Sequence, residues 1–581
     1  MSMTNPFADP DLISLSDLIE LIDARRDIDH LKRRDMGSAI RTLGKWFGLP
    51  LEMIPASAAF IRDKLQKVHP VLQNVSKRRI QNVRSLVLGA MRTQGLCTNM
   101  AHYGAPMSTE WQALWDLLDE STYARTELSR FFRFCSNKDI TPAQICDNIS
   151  AEFLAALEAE TLVKAPRTRH QSTCRVWNKM GALHRDAGWP LVRLSVPRYD
   201  TKRIYAIEDA MIGPGVLADI DRYVAHLSGN DLFGGPPTPF RPTSLKAIRG
   251  HIRRYLSALH HQGADLRQAS SLDDLFAPDQ VEHAFRWLWE RNGNATSKHI
   301  GEIAWTIRCY AVKYRQPSDE AEAFFSQLVS RLRVQSTGLS DKNLACIRQF
   351  DDPKAVQRFV SLPPLLWNRA YNTRKIGSGA PSKKAALLIQ AAVAIEILTF
   401  APMRLKNLRN LHLDRHMSWQ SGRLRITIPA NEVKNSQALD FNLPQQTSER
   451  IARYIEEWRS IYLPKANPYL FPGRNMQPKD MTAVRRQIEK ALWDHAGLRL
   501  TPHQFRHVAA KVLLDNRPGH YEVVRKLLGH KSMHTTYAHY AGGETQAAVE
   551  LYADVVADQR RRTAQPERSK TRMSPAKSKV A

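Results

Sequence analysis

The sequence predicts a mainly α-helical, multi-domain protein. Helical N-terminal modules precede a mixed α/β domain that is mostly helical and carries a small β-hairpin or sheet. Three observations predict this. At 581 residues the chain exceeds what one hydrophobic core can serve. Apolar residues recur at i, i+3, i+4 and i+7 through most of its length, the spacing of one helix face. Two short stretches, Arg423–Pro429 (RLRITIP) and Ala438–Leu443 (ALDFNL), alternate with period two instead, as strands do.

Taken in order, residues 1–105 form a first helical module, with IRTLGKWFGLPLEMIP and later RRIQNVRSLVLGAMRTQ as its amphipathic helices. Residues 106–190 form a second, through LSRFFRFCSNKDITPAQI, AEFLAALEAE and TRHQSTCRVWNKMGALHRDAG. Residues 191–238 are rich in Pro and Gly (GNDLFGGPPTPFRPTS), lack helical periodicity, and read as a linker with a short strand or two. A third module follows at 239–345, with IRGHIRRYLSALHHQGADLRQASSLDDLF, VEHAFRWLWERN and SKHIGEIAWTIRCYAVKY. The three modules share a basic–aromatic helix, a polar break that supplies helix-capping residues, and a last helix bearing Arg or Lys. That is the pattern either of a degenerate repeat or of any all-helical protein. A new pattern occupies 360–558. From 559 to 581 eight basic residues stand against one Glu, with no apolar face, as expected of a disordered basic tail.

The net charge is +27, from 84 Lys and Arg against 57 Asp and Glu. Such an excess favours polyanions, because each phosphate neutralised releases condensed counterions. The six cysteines have no C-x-x-C pair or regular spacing, which argues against a disulfide frame or a zinc site. The N-terminus lacks a cationic-then-apolar leader pattern. The most apolar stretch, Ala385–Met403, contains Gln390 and Glu396 and reads as a core helix, not a membrane span. The expected location is cytoplasmic, on the nucleoid if the host is bacterial.

The chemistry-bearing residues gather in the last third. Arg404 follows an apolar helix that breaks at Ala401-Pro402, so it stands at the start of the next helix, where a guanidinium and backbone N–H groups can address one anion. Lys434 sits in the polar turn Asn431–Gln437 between the two strands. His503 and Arg506 are three apart at a helix start and share a face. His503 and His507, four apart, raise a metal-site reading. No Glu follows the first His as in H-E-x-x-H, no third ligand lies within a turn, and an intervening arginine is electrostatically unwelcome. No metal and no cofactor is expected. Gly529 closes the helix Tyr521–Leu528, and His530 projects from the turn. Beyond it come Thr535-Thr536, Tyr537 and Tyr540.

Arg404, Lys434, His503-x-x-Arg506, Leu-Gly-His530 and Thr-Thr-x-x-x-Tyr540 together resemble the catalytic set of the tyrosine recombinase (phage integrase) family, over roughly residues 360–555. Ala401-Pro402 replaces the family's Thr-Gly, and Asn407 stands where an acidic residue is common. Many members place the nucleophile nine residues past the box histidine, which here is His539. A spacing of ten also occurs, and Tyr540 fits it, with Tyr537 as the alternative.

The resemblance implies that Tyr540 attacks the scissile phosphorus to give a 3′-phosphotyrosine, while the arginines and histidines neutralise the transition state and Lys434 protonates the departing 5′ oxygen. The link conserves bond energy, so neither ATP nor metal is required, and the chain has no Gly-x-x-x-x-Gly-Lys-Ser/Thr loop. The third module resembles the core-binding domain that precedes this catalytic domain. The implied partner is double-stranded DNA at specific recombination sites, bound by a homo-tetramer, with possible accessory DNA-bending or recombinase proteins and no membrane. The predicted amphipathic helix Glu544–Asp558, with its stripe Ala547, Leu551 and Val555, suits docking on a neighbouring protomer or packing within the chain. Two alternatives follow from the same fold: a non-catalytic architectural DNA-binding protein, which would have lost a catalytic residue, and a type IB topoisomerase-like relaxing enzyme.

Overall fold

The computed structural model describes residues 12–102, 104–199, 205–229, 235–315, 318–334, 338–376, 382–462, 466–540 and 545–564. The chain forms two compact units. One comprises Met1–Ala105, Ala155–Lys164 and Thr337–Ala581; the other comprises Pro106–Leu154 and Ala165–Ser336.

The second unit is helical throughout its described residues. An aromatic core of Trp111, Phe131, Phe132, Phe153, Trp177 and Trp189 holds its N-terminal half together. A separate core runs from Ile212 to Leu332 and includes Tyr255, Leu256, Phe285, Ile303 and Tyr310. Its first helix, Pro214–Leu227, corrects the expectation of a linker at 191–238. Val216, Ile220, Tyr223 and Leu227 line one buried face of that helix, and Pro214 occupies its first turn, where a missing N–H is harmless. The Pro- and Gly-rich flanks obscured a periodicity that is present.

In the first unit the helix Lys383–Phe400 is the axis of the C-terminal core, with twelve buried residues. Its two polar members are hydrogen-bonded, although Glu396 Oε2 has no partner among the described residues. Gln390 donates to the Tyr454 hydroxyl at 2.9 Å, and Glu396 accepts from Arg450 at 2.6 Å and from the Thr447 hydroxyl at 3.0 Å. No helix among the described residues is long and apolar enough to cross a membrane.

The sheet has three antiparallel strands in the order β1 (Met417–Gln420), β2 (Arg423–Ile428) and β3 (Leu439–Asn442). Ser421 and Gly422 join the first two with φ of 47° and 76°, the left-handed pair a tight two-residue hairpin requires. Ile428 pairs with Leu439, so residues 429–438 form the connection that carries Lys434.

The N-terminal helices of this unit bury Leu18, Ile40, Leu43, Ile61 and Val87 in a core of their own. They are tied to the C-terminal part by His69 against Trp493, with ring centroids 4.3 Å apart, and by Lys77 to Asp494 at 3.4 Å. The last helix, Thr545–Ala564, continues past the expected start of the tail at 559; residues 565–581 lie outside the described residues. Leu551 and Val555 of the predicted stripe are exposed there, and the Ala547 side chain lies outside the described set.

Candidate active site

Arg404 reaches its position because Ala401 ends the long core helix and Arg404 itself caps the short helix Leu405–Arg409, with φ −70° and ψ 147°. It is half-buried and donates to Asn435 Oδ1 at 3.4 Å. Asn435, next to Lys434 in the β2–β3 connection, in turn donates to the Gly529 carbonyl. One side chain therefore ties the arginine, the lysine-bearing loop and the histidine-bearing turn together.

Arg506 lies in the first turn of the helix Phe505–Asn516, after a turn Pro502–Gln504 whose N-cap Thr501 and third residue Gln504 cap one another. Its guanidinium is buried and donates to the carbonyls of Pro402, at 2.9 Å, and Leu528, at 2.5 Å. Burial, and then the nearby charge of Arg404, lowers its pKa to about 10, so it is still cationic at neutral pH.

Gly529 ends the helix Tyr521–Leu528 at φ 59°, and a Cβ there would stand 2.8 Å from Leu439 Cδ2. Glycine is required at this position for both its conformation and its small size. His530 then turns inward, its Nδ1 3.0 Å from the Thr536 hydroxyl. Burial, then Arg506, His539, Arg404 and Arg525, lowers the His530 pKa to about 4. The ring is neutral at pH 7.

His503 is lowered by desolvation and then by Arg506, Arg404 and Lys434. Lys434 itself is exposed on its loop. The groups that act on His503, Arg506, His507 and His530 are arginines, lysine, imidazoles and the Tyr540 phenol.

Tyr540 closes the set. On the helix Met533–Tyr540 it shares a face with Thr536, and both are buried. Its hydroxyl lies 2.9 Å from His507 Nδ1. Burial raises the phenol's pKa, and Arg506 opposes the shift. Tyr537 is 47 % exposed and packs on Tyr521, whereas Tyr540 is 8 % exposed and faces the cations.

All six predicted residues, Arg404, Lys434, His503, Arg506, His530 and Tyr540, thus converge on one region. Sequence reasoning missed Asn435 and weighed His507 only as a metal ligand. His507 is buried, and its Nδ1 is engaged by the phenol. Its spacing from His503 was legible, but its partner, thirty-three residues away, was not.

Chemically, the set is suited to holding an anion beside a nucleophilic oxygen. Residues 378–546 match the family described as Phage integrase family, a segment that takes in the cluster from Arg404 to Tyr540. This part of the chain is a tyrosine recombinase domain of that family.

Similar solved structures include the XerH site-specific recombinase bound to palindromic difH substrate in a post-cleavage complex. It is 18 % identical over 53 % of this chain and 79 % of that one, with a TM-score of 0.37. The Tn1549 transposon integrase in complex with circular intermediate DNA is 15 % identical over 58 % and 98 %, with a TM-score of 0.34. A lambda integrase dimer bound to a COC′ core site is 13 % identical over 55 % and 95 %, with a TM-score of 0.32. No curated protein matches the chain.

Proposed function

We propose that this protein is a site-specific DNA recombinase or integrase that cuts and rejoins strands through a 3′-phosphotyrosine on Tyr540, without ATP or metal. The observation that carries the reading is the burial of the Tyr540 hydroxyl against His507 and near the Arg506 guanidinium, which Arg404 neighbours in turn. Tyr540 Oη attacks phosphorus as its proton passes to His507 Nδ1, the bond to O5′ breaks, and Lys434 supplies the proton that O5′ takes up. Arg404 and Arg506 neutralise charge on the non-bridging oxygens, with neutral His503 and His530 as hydrogen-bond donors. Religation reverses the sequence on a new 5′-hydroxyl, so no external energy source is consumed.

The working form in this reading is a homo-tetramer on two duplexes. The charge of +27 favours the DNA, and the exposed Leu551, Tyr552 and Val555 of the last helix offer an apolar face for assembly.

The test is incubation with nicked suicide duplexes drawn from the ends of the element that carries the gene, followed by mapping of the trapped peptide. Phosphate on Tyr540 supports the proposal. Phosphate on Tyr537 reassigns the nucleophile, and strand binding with no covalent adduct favours an architectural protein.

A further inference from the structure

The second compact unit holds a group of side chains that the recombination chemistry does not use. His251 lies on the helix Pro242–His261; His299 and Glu302 lie on the helix Lys298–Arg308. His299 and Glu302 are three residues apart and so occupy one face, which meets His251 across the helix pair. The two imidazole centroids are 5.6 Å apart, with their planes at 66°. One donor atom from each of the three residues lies within 4.8 Å of the others. Tetrahedral ligands around zinc, with bonds of about 2.0–2.2 Å, stand roughly 3.3 Å apart. His299 and Glu302 are exposed, which leaves their side chains room to turn towards His251.

The hydrogen bonding of His251 fixes which nitrogen is free. Its Nδ1 is 2.8 Å from the Thr306 hydroxyl. That hydroxyl has one proton, and it donates it to the Glu302 carbonyl at 2.9 Å. Thr306 therefore accepts from His251, the proton sits on Nδ1, and the lone pair of Nε2 is left to bind. An outer hydrogen bond that sets the tautomer and aims the ring is what a metal-binding histidine ordinarily has. Arg254 acts against the site: its charge reaches both rings, although its guanidinium is engaged with the Gly250 carbonyl at 3.0 Å.

We propose that His251, His299 and Glu302 form a binding site for a borderline divalent metal ion of the zinc class, clamping the helices Pro242–His261 and Lys298–Arg308 together, with a water in the open fourth position. Two imidazoles and one carboxylate suit zinc, cobalt(II) or nickel(II) rather than magnesium or calcium. Three protein ligands and a nearby arginine give binding in the micromolar range rather than the tightness of a closed four-ligand site. The proposal is independent of the chemistry assigned to Tyr540, which lies in the other unit.

The test is titration of the full-length, metal-stripped protein with zinc in competition with a chromophoric indicator, repeated with cobalt(II), whose visible absorption reports a tetrahedral environment. Wild type is expected to bind one equivalent more than His299→Ala, and Glu302→Gln to weaken that equivalent at least tenfold. Thr306→Val, nearly isosteric, is expected to weaken it about 10-fold or more by releasing the His251 tautomer. His299 and Glu302 are exposed, so these variants keep the fold, which circular dichroism verifies. Zinc should also raise the melting temperature of wild type and not that of His299→Ala. Equal stoichiometry and affinity for wild type and His299→Ala overturn the proposal, as does a bound equivalent that is indifferent to both His299→Ala and Glu302→Gln.

Discussion

The hydroxyl of Tyr540 stands 2.9 Å from Nδ1 of His507, and both side chains are buried. Among the described residues the other ring nitrogen, Nε2, has no hydrogen-bond partner, and the phenol is the one polar anchor of this imidazole. Replacing Tyr540 by Phe leaves both nitrogens unsatisfied. The expected result is complete loss of covalent DNA adduct together with a stability loss of about 1–3 kcal/mol. Urea melts read the second effect without DNA. His507→Ala, by freeing the phenol, should slow adduct formation about 10-fold or more while leaving duplex affinity nearly unchanged.

The two arginines differ in what they do for the fold. Arg506 is buried and holds the Pro402 and Leu528 carbonyls; Arg404 is half-buried with one long contact to Asn435. Arg506→Ala is expected to destabilise the protein by about 2–4 kcal/mol as well as silence it, because two buried carbonyls lose a charged donor. Arg404→Ala is expected to reduce the cleavage rate ~10²-fold with little change in melting temperature. Thermal denaturation beside single-turnover cleavage separates the two.

His507 and His530 are both held down to about pKa 4, with burial the largest cause. Between pH 4 and the usual value of 6.5 the unfolded chain therefore binds more protons at these positions than the folded one. Their stabilisation is fully present above pH 6.5 and is lost as pH falls towards 4. For the buried His507 this amounts to about 3 kcal/mol at most. The urea midpoint should fall between pH 7 and pH 4, and His507→Gln, which cannot be protonated, should flatten part of that slope.

Gly529→Ala confronts a φ of 59° and a side-chain atom 2.8 Å from the new Cβ. We expect a loss of roughly 1–3 kcal/mol and a displaced His530. Adduct formation should fall further than the melting temperature alone accounts for.

Lys434 is exposed, so Lys434→Ala should leave stability within about 0.5 kcal/mol of wild type. Cleavage should slow ~10²-fold or more. A substrate with sulfur in place of the bridging 5′ oxygen needs no proton on its leaving group and should restore the rate; a defect that persists on sulfur removes Lys434 from the acid role.

How much of this was legible depended on how local the signal was. The break at Ala401-Pro402, the glycine stop at 529 and the alternation of RLRITIP are properties of a few adjacent residues, and each was read correctly. The β1 strand was missed because four residues with three exposed side chains carry no pattern of their own; they become a strand by pairing with β2. The helix Pro214–Leu227 had its periodicity, but composition on either side outweighed it. Nothing local announces that His69 will pack on Trp493, or that Asn435 will bridge Arg404 and Gly529, since those contacts exist only once distant segments meet. Tyr540 was preferred to Tyr537 by spacing alone, and the reason they differ in burial is the neighbour each helix position faces.

The shelter around Tyr540 bears on the safety of its host. A chromosome is an immense reservoir of phosphodiesters, and a phenol on open display beside two guanidiniums would nick it wherever the protein brushed past. With only 8 % of the residue uncovered, the nucleophile proposed above is largely out of reach of a passing strand.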